Sequence, residues 1–169
     1  MTAAGPAPLL TVESLRVGFA TATGSRYAVD GIAFDVREGE ALGVVGESGS
    51  GKTMLCRAIM RLTPPWAVVS GSVRLGDVEL AHLSAGDMRS LRGTELAMVL
   101  QNPMTALNPV VRVGRQLTET LRRRDRLDRA TARARAVGLL DRVGIPEPAR
   151  RLRSFPHELS GGMCQLMQW

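Results

Sequence analysis

Hydrophobic positions recur at roughly every second residue in the front of this chain and at helical spacing in its rear. Leu10, Val12, Leu15, Val17 and Phe19 alternate loosely and predict a strand over Leu9–Phe19. A turn-rich link at Thr21–Ser25 leads to Val29, Ile32, Phe34 and Val36, a second strand over Ala28–Val36 closed by Arg37–Glu40. The run Glu40–Gly46 is short and apolar, which suits a buried strand. Lys52 to about Leu62 consists of good helix formers and is halted by Pro64-Pro65. Ser70–Leu80 reads as a hairpin turning at Gly76-Asp77, Ala85–Leu91 as a short helix, and Glu95–Leu100 as a compact strand ending at Gln101-Asn102-Pro103.

Beyond Pro109 the period lengthens. Val113–Arg123 forms one predicted helix. Asp128 caps a second, whose Ala132, Ala136, Leu139, Leu140 and Val143 share a face. Gly144-Ile145-Pro146 stops it, and a short basic helix over Ala149–Phe155 leads to Pro156 and then Leu159–Met163. No internal repeat or low-complexity stretch interrupts this layout: a β-rich front with a helical insertion behind it.

Composition changes the picture little. A chain of 169 residues with 44% apolar content fits one globular domain with room for a subdomain. No apolar run approaches the ~18 residues that span a bilayer, and Met1–Pro6 lacks the basic and apolar regions of a secretory signal. Cys56 and Cys164 form no disulfide framework and are expected as reduced thiols, with Cys56 buried on the first helix. The net charge of +6 is uneven, since Arg122–Arg124, Arg126, Arg129, Arg133 and Arg135 crowd one region. No aromatic residue lies among them, so a base-stacking platform is absent and a solvated helical face is expected, with no nucleic-acid partner.

Chemistry enters at Gly46-Glu47-Ser48-Gly49-Ser50-Gly51-Lys52-Thr53. This stretch fits G-x-x-x-x-G-K-[ST], the phosphate-binding loop, and lies in the required order between an apolar strand and a helix. Backbone N–H groups that all turn inward on an anion need residues free of Cβ and tolerant of positive φ. Lys52 puts a point charge on the β/γ-phosphates, and the Thr53 hydroxyl can serve Mg²⁺. The helix beginning at Lys52 directs its positive end at the same place. Lys52 is also the only lysine in the chain.

With that loop, Gln101 after an apolar run, and Leu159-Ser160-Gly161-Gly162 behind a helical segment, the chain resembles the ATP-binding cassette of ABC transporters. Gln101–Pro109 and Phe155–Met163 look like the subfamily that powers oligopeptide, dipeptide and nickel importers. The resemblance implies an α/β P-loop NTPase with an antiparallel β subdomain and a helical subdomain, its core sheet incomplete. It divides the chain into an ATP-binding core over 1–105 and a helical subdomain over 106–169. It implies ATP and Mg²⁺ as cofactors. Gly46–Thr53 would hold the phosphates, Thr53 and Gln101 would serve the metal, and Ser160, Gly161 and Gly162 would meet nucleotide on a second cassette. Transmembrane permease subunits and a location on the inner face of the cell membrane follow from the same resemblance. A guanine-specific NTPase is disfavoured, because its Asn-Lys-x-Asp needs a second lysine.

Departures from the family pattern are expected to matter. Thr23 aligns where an aromatic stacks on adenine, with Tyr27 or Phe19 as substitutes, and Cys164 stands where Arg is usual. The sequence ends at Trp169, and no run of four apolar residues followed by Asp-Glu occurs in it. The hydrolytic Asp-Glu pair and the switch histidine are therefore absent. His157 belongs to the Pro-His-Glu-Leu lead-in rather than standing in for that histidine. Two readings follow: the N-terminal portion of an importer ATPase, or a truncated module that binds nucleotide without turnover. The chain alone is expected to be unstable and to hydrolyse ATP negligibly.

Overall fold

The computed structural model describes residues 7–22, 24–102 and 106–167. Thr23, the aligned adenine position, and Pro103–Thr105 of the Gln101–Pro109 motif lie outside them. The chain divides into two compact units, 1–92 and 93–169.

The first unit is a four-stranded antiparallel sheet with one helix against it. β1 (Leu10–Thr21), β2 (Gly24–Val36), β3 (Ala67–Leu75) and β4 (Val78–Glu79) lie in the order β2-β1-β3-β4. The loose alternation of β1 has a physical cause. The register with both neighbours shifts just after Val12, and Ser14 adopts φ 49. One extra residue at this bulge puts Val12, Leu15 and Val17, which no strict two-residue period would align, among the buried side chains. Gly71 on β3 permits it, because a Cβ there would lie 2.6 Å from the Ser14 carbonyl oxygen.

α1 (Lys52–Ile59) buries Leu55 and Ala58. Cys56, expected to be buried, is exposed. It follows Leu55 by one residue, a rotation of about 100° that carries it off the buried stripe. The helix ends sooner than predicted. Arg61 turns left-handed at φ 50, and the Leu62 N–H donates to the Arg57 carbonyl at 2.7 Å. Beyond the β3–β4 hairpin, a 3₁₀ turn at Leu80–His82 leads to α2 (Ala85–Leu91), capped by Ser84 as its side chain accepts from the Asp87 N–H.

The second unit is helical: α3 (Val113–Asp125), α4 (Arg129–Arg142), α5 (Pro148–Arg151) and α6 (Gly161–Leu166). Val113, Ala136, Leu140, Ile145, Leu152 and Cys164 belong to one buried cluster. Asp128 caps α4 as predicted, accepting from the N–H groups of Ala130 and Thr131. Ala132, Ala136 and Leu140 are buried, but Leu139 is 38% exposed at the edge of that face.

Two predicted strands do not form. Neither Ala41–Val45 nor Leu96–Leu100 joins a sheet among the described residues, and Val45 is 97% exposed. Both runs have the composition of a buried strand. A strand also requires a ladder of paired peptide groups, and among the described residues neither run builds one.

Glu79 joins the end of the hairpin to the sheet. Its carboxylate accepts from the Ser72 hydroxyl and from the N–H groups of Val73 and Ala81. Burial pushes its pKa up, but the three hydrogen bonds together outweigh that and hold it below the ordinary 4.5. A depressed carboxylate contributes stability above its unfolded-state pKa and loses it as pH falls through the lower folded value. Acid titration of unfolding should therefore show stability declining below pH 4.5. E79Q should flatten that decline and cost about 1 kcal/mol at neutral pH; an unchanged acid profile would contradict the assignment. A second prediction concerns Gly51, where φ is +91 and a Cβ would sit 2.0 Å from the Ala28 carbonyl oxygen on β2. G51A should lower stability by about 1–3 kcal/mol in chemical denaturation, whereas G49A, with φ +81 but open space around it, should cost less.

Candidate phosphate-binding site

The loop Gly46–Gly51 leaves the exposed run 41–45 and delivers the chain into α1. Its shape comes from two glycines at positive φ, Gly49 at 81° and Gly51 at 91°, and from a turn in which the Ser50 N–H donates to the Glu47 carbonyl at 3.2 Å. The Gly46 position is filled by a neighbour, since a Cβ there would meet Ser50 Oγ at 2.7 Å. Larger residues at 46 or 51 would deform the loop.

Lys52 folds back over this loop. Its Nζ donates to the carbonyl oxygens of Gly46 at 2.7 Å and Glu47 at 2.6 Å, and lies 3.2 Å from Ser50 Oγ. The ammonium is thus held against the loop by two carbonyls, and no acidic side chain neutralises it in an ion pair among the described residues. α1 begins at the same residue with Gly51 as N-cap and no side-chain capping bond. Its first-turn N–H groups therefore lack an internal acceptor. A positive side chain and an uncapped helix start attract an anion together, and backbone donors with a point-charge lysine suit phosphate oxygens. Thr53 is exposed, which leaves its hydroxyl available to a hard cation. The residues present fit a nucleotide phosphate chain with its metal.

The far end of α1 is anchored by arginines that sequence reasoning did not single out. Arg92 Nε donates to the Met60 carbonyl and its Nη2 to the Arg61 carbonyl, each at 2.9 Å. Arg61 Nη1 in turn reaches the carbonyls of Leu80 at 2.9 Å and Leu83 at 2.7 Å. The Arg92 bonds satisfy backbone oxygens just beyond the C-terminus of α1 with a cation, the favourable charge for that end, and the Arg61 bonds tie that end to the 3₁₀ turn. No local pattern announces them, because donor and acceptor lie far apart in sequence.

The remaining predicted site residues belong to the second unit. Gln101 is exposed, just ahead of the undescribed 103–105. Behind that stretch, Gln116 of α3 clamps Asn108: its Oε1 accepts from the Asn108 N–H at 2.9 Å, and its Nε2 donates to the Asn108 carbonyl at 3.0 Å and that of Val111 at 2.7 Å. Nothing in the local sequence singles out Gln116. Ser160 is the N-cap of α6, accepting from the Met163 N–H at 3.3 Å, and Gly161 and Gly162 are exposed beside it. Just upstream, the His157 ring stacks on Phe155 at 5.7 Å, and Arg112 lies over the same Phe155 ring at 5.5 Å. That packing gives His157 a structural place in the lead-in. Cys164 is fully buried, and burial raises its thiol pKa. The loop residues Gly46–Thr53 come together as one site, whereas Gln101 and Ser160–Gly162 occupy separate segments of the other unit.

Comparison with known proteins agrees with this geometry. The dipeptide transport ATP-binding protein DppD of Bacillus subtilis (strain 168) is 43% identical over 93% of this chain and 48% of its own length. The oligopeptide transport ATP-binding protein OppD of Mycobacterium tuberculosis (strain ATCC 25618 / H37Rv) is 48% identical over 94% of the chain and 26% of its own length. The chain thus spans about half the length, or less, of these curated relatives. A solved ATP-binding cassette, a dimer in a post-hydrolysis state bound to ADP and Pi, superposes with a TM-score of 0.80 at 22% identity. That alignment covers 94% of this chain and 66% of the solved one, and it shows a shared fold. Among the described residues no helix is long and apolar enough to cross a membrane. The family described as ABC transporter matches residues 29–168, and the chain belongs to it.

Proposed function

We propose that this chain is the nucleotide-binding, N-terminal portion of an ATP-driven subunit that imports peptides or related small solutes. One observation carries the proposal: Lys52 bound to the loop carbonyls at the uncapped start of α1. The names of the relatives, dipeptide and oligopeptide transport ATP-binding proteins, support the solute class.

In this reading 1–105 forms the ATP-binding core and 106–169 the helical part. The N–H groups of Gly46–Thr53 orient the phosphates and Lys52 takes up their charge. Thr53 and Gln101 would hold Mg²⁺, which when bound supplies charge neutralisation for phosphoryl transfer. Ser160, Gly161 and Gly162 offer a hydroxyl and unobstructed backbone to nucleotide on a second cassette. Gln101, exposed ahead of its motif, would report nucleotide state to transmembrane permease subunits at the inner face of the cell membrane.

The second reading, binding without turnover, has its own support. Ala41–Val45 joins no sheet among the described residues, so the strand expected ahead of the loop does not form there. Phosphoryl transfer to water needs a positioned water-orienting group, and losing one costs on the order of 10³-fold in rate.

Calorimetric titration of Mg·ATP into the chain should give a saturable heat that K52A abolishes, because no other lysine can replace it. Equal affinity in K52A would place the nucleotide elsewhere. Phosphate release by the 169-residue chain is expected to stay at background. Saturable binding with no release favours the second reading for the chain alone, and family-typical turnover would sink it.

A further inference from the structure

The excess positive charge of this protein sits in one place. Residues 112–135 contain nine arginines and three acidic residues, an excess equal to the +6 of the whole chain, so the remaining residues balance. The structure shows how little of that excess is neutralised. Glu119 pairs with Arg123, and Asp125 is shared by Arg124 and Arg135. Asp128 is occupied by the N-terminus of α4, accepting from Ala130, Thr131 and the Thr131 hydroxyl. Arg115, Arg122, Arg126, Arg129 and Arg133 are exposed and make no ion pair among the described residues.

Their placement is ordered. Arg115 and Arg122 are seven residues apart, which at 100° per residue keeps them within about 20° of one line along α3, and Arg126, in the left-handed conformation, caps the helix just past its end. That line runs for about 10 Å and lies opposite the side on which Val113, Gly114, Leu117 and Leu121 pack. The stability of the helices explains only part of this pattern. Arg122 is favourable near the C-terminus of α3, but Arg129 opens α4, where the helix dipole opposes a cation and no acidic residue stands in the first turn.

We propose that the outer face of α3, with the start of α4, docks on a phospholipid surface through anionic headgroups. Guanidinium groups match phosphate oxygens in bidentate geometry. Glu119 on the same face is already paired with Arg123, which leaves the face basic, and the segment has no aromatic residue on which a nucleobase could stack. Juxtamembrane basic residues gain about fivefold in partitioning each at an anionic surface, an effect that salt screens. The surface is independent of the nucleotide loop, so its test uses no ATP.

The test is vesicle flotation of the full chain, in which aggregated protein does not rise. Vesicles of phosphatidylcholine with about 30% phosphatidylglycerol should carry the protein up, pure phosphatidylcholine should not, and about 0.5 M NaCl should release it. R115Q/R122Q/R126Q should lower binding on the order of 100-fold, and R115E/R122E/R126E should lower it further. A control reversal of three exposed arginines elsewhere, R26E/R37E/R89E, should leave it largely unchanged. Circular dichroism of each variant checks that the helices remain. Equal binding to neutral vesicles, or equal loss in the control reversal, would overturn the proposal. So would displacement from the vesicles by a nucleic-acid duplex, which would make a phosphate polymer the partner instead.

Discussion

The constraint on which the candidate site depends is steric before it is electrostatic. Gly51 passes so close to the Ala28 carbonyl of β2 that no side chain fits between them, and it does so at a φ that favours glycine. That contact fixes where α1 starts. With the start fixed, Lys52 is placed to fold back on the carbonyls of Gly46 and Glu47, and the uncapped first turn of the helix opens at the same point. The arginines at the other end matter for the same reason. Arg92 and Arg61 tie the end of α1 to the 3₁₀ turn and α2, so the helix is held at both ends while the loop between sheet and helix is shaped for an anion.

Much of this was legible in the sequence because it is local. Glycine spacing, a lone lysine and an Asp before an apolar helical pattern each specify geometry within a few residues, and loop, helix and Asp128 cap follow. The β3–β4 hairpin is legible for the same reason. What escaped is non-local. The bulge at Ser14 depends on Gly71 two strands later in the chain, and the pattern of β1 looked merely imperfect without it. The clamp of Gln116 on Asn108 and the bonds of Arg92 to α1 depend on tertiary neighbours that no period encodes. Cys56 shows the limit of residue type as a guide, since one step along a short helix separates the buried stripe from solvent.

The runs 41–45 and 96–100 teach a different lesson. An apolar run of strand length states a preference for burial, but a strand is made by two chains of peptide groups that satisfy each other. Among the described residues neither run builds a ladder, and Leu42, Val44, Val45 and Val99 are exposed. Exposed apolar segments of strand composition are a hazard for association. The chain spans about half the length of the peptide-transport ATP-binding proteins it matches.

The central claim is that phosphate lies on the backbone of Gly46–Thr53 rather than elsewhere on the molecule. Amide hydrogen exchange of the chain with and without Mg·ATP, resolved to peptides covering 46–53, tests it most directly. The account predicts slowed exchange across that stretch, where donors now unpartnered would gain phosphate acceptors. Saturable nucleotide binding that leaves those amides unchanged, with protection appearing in other segments, would contradict it.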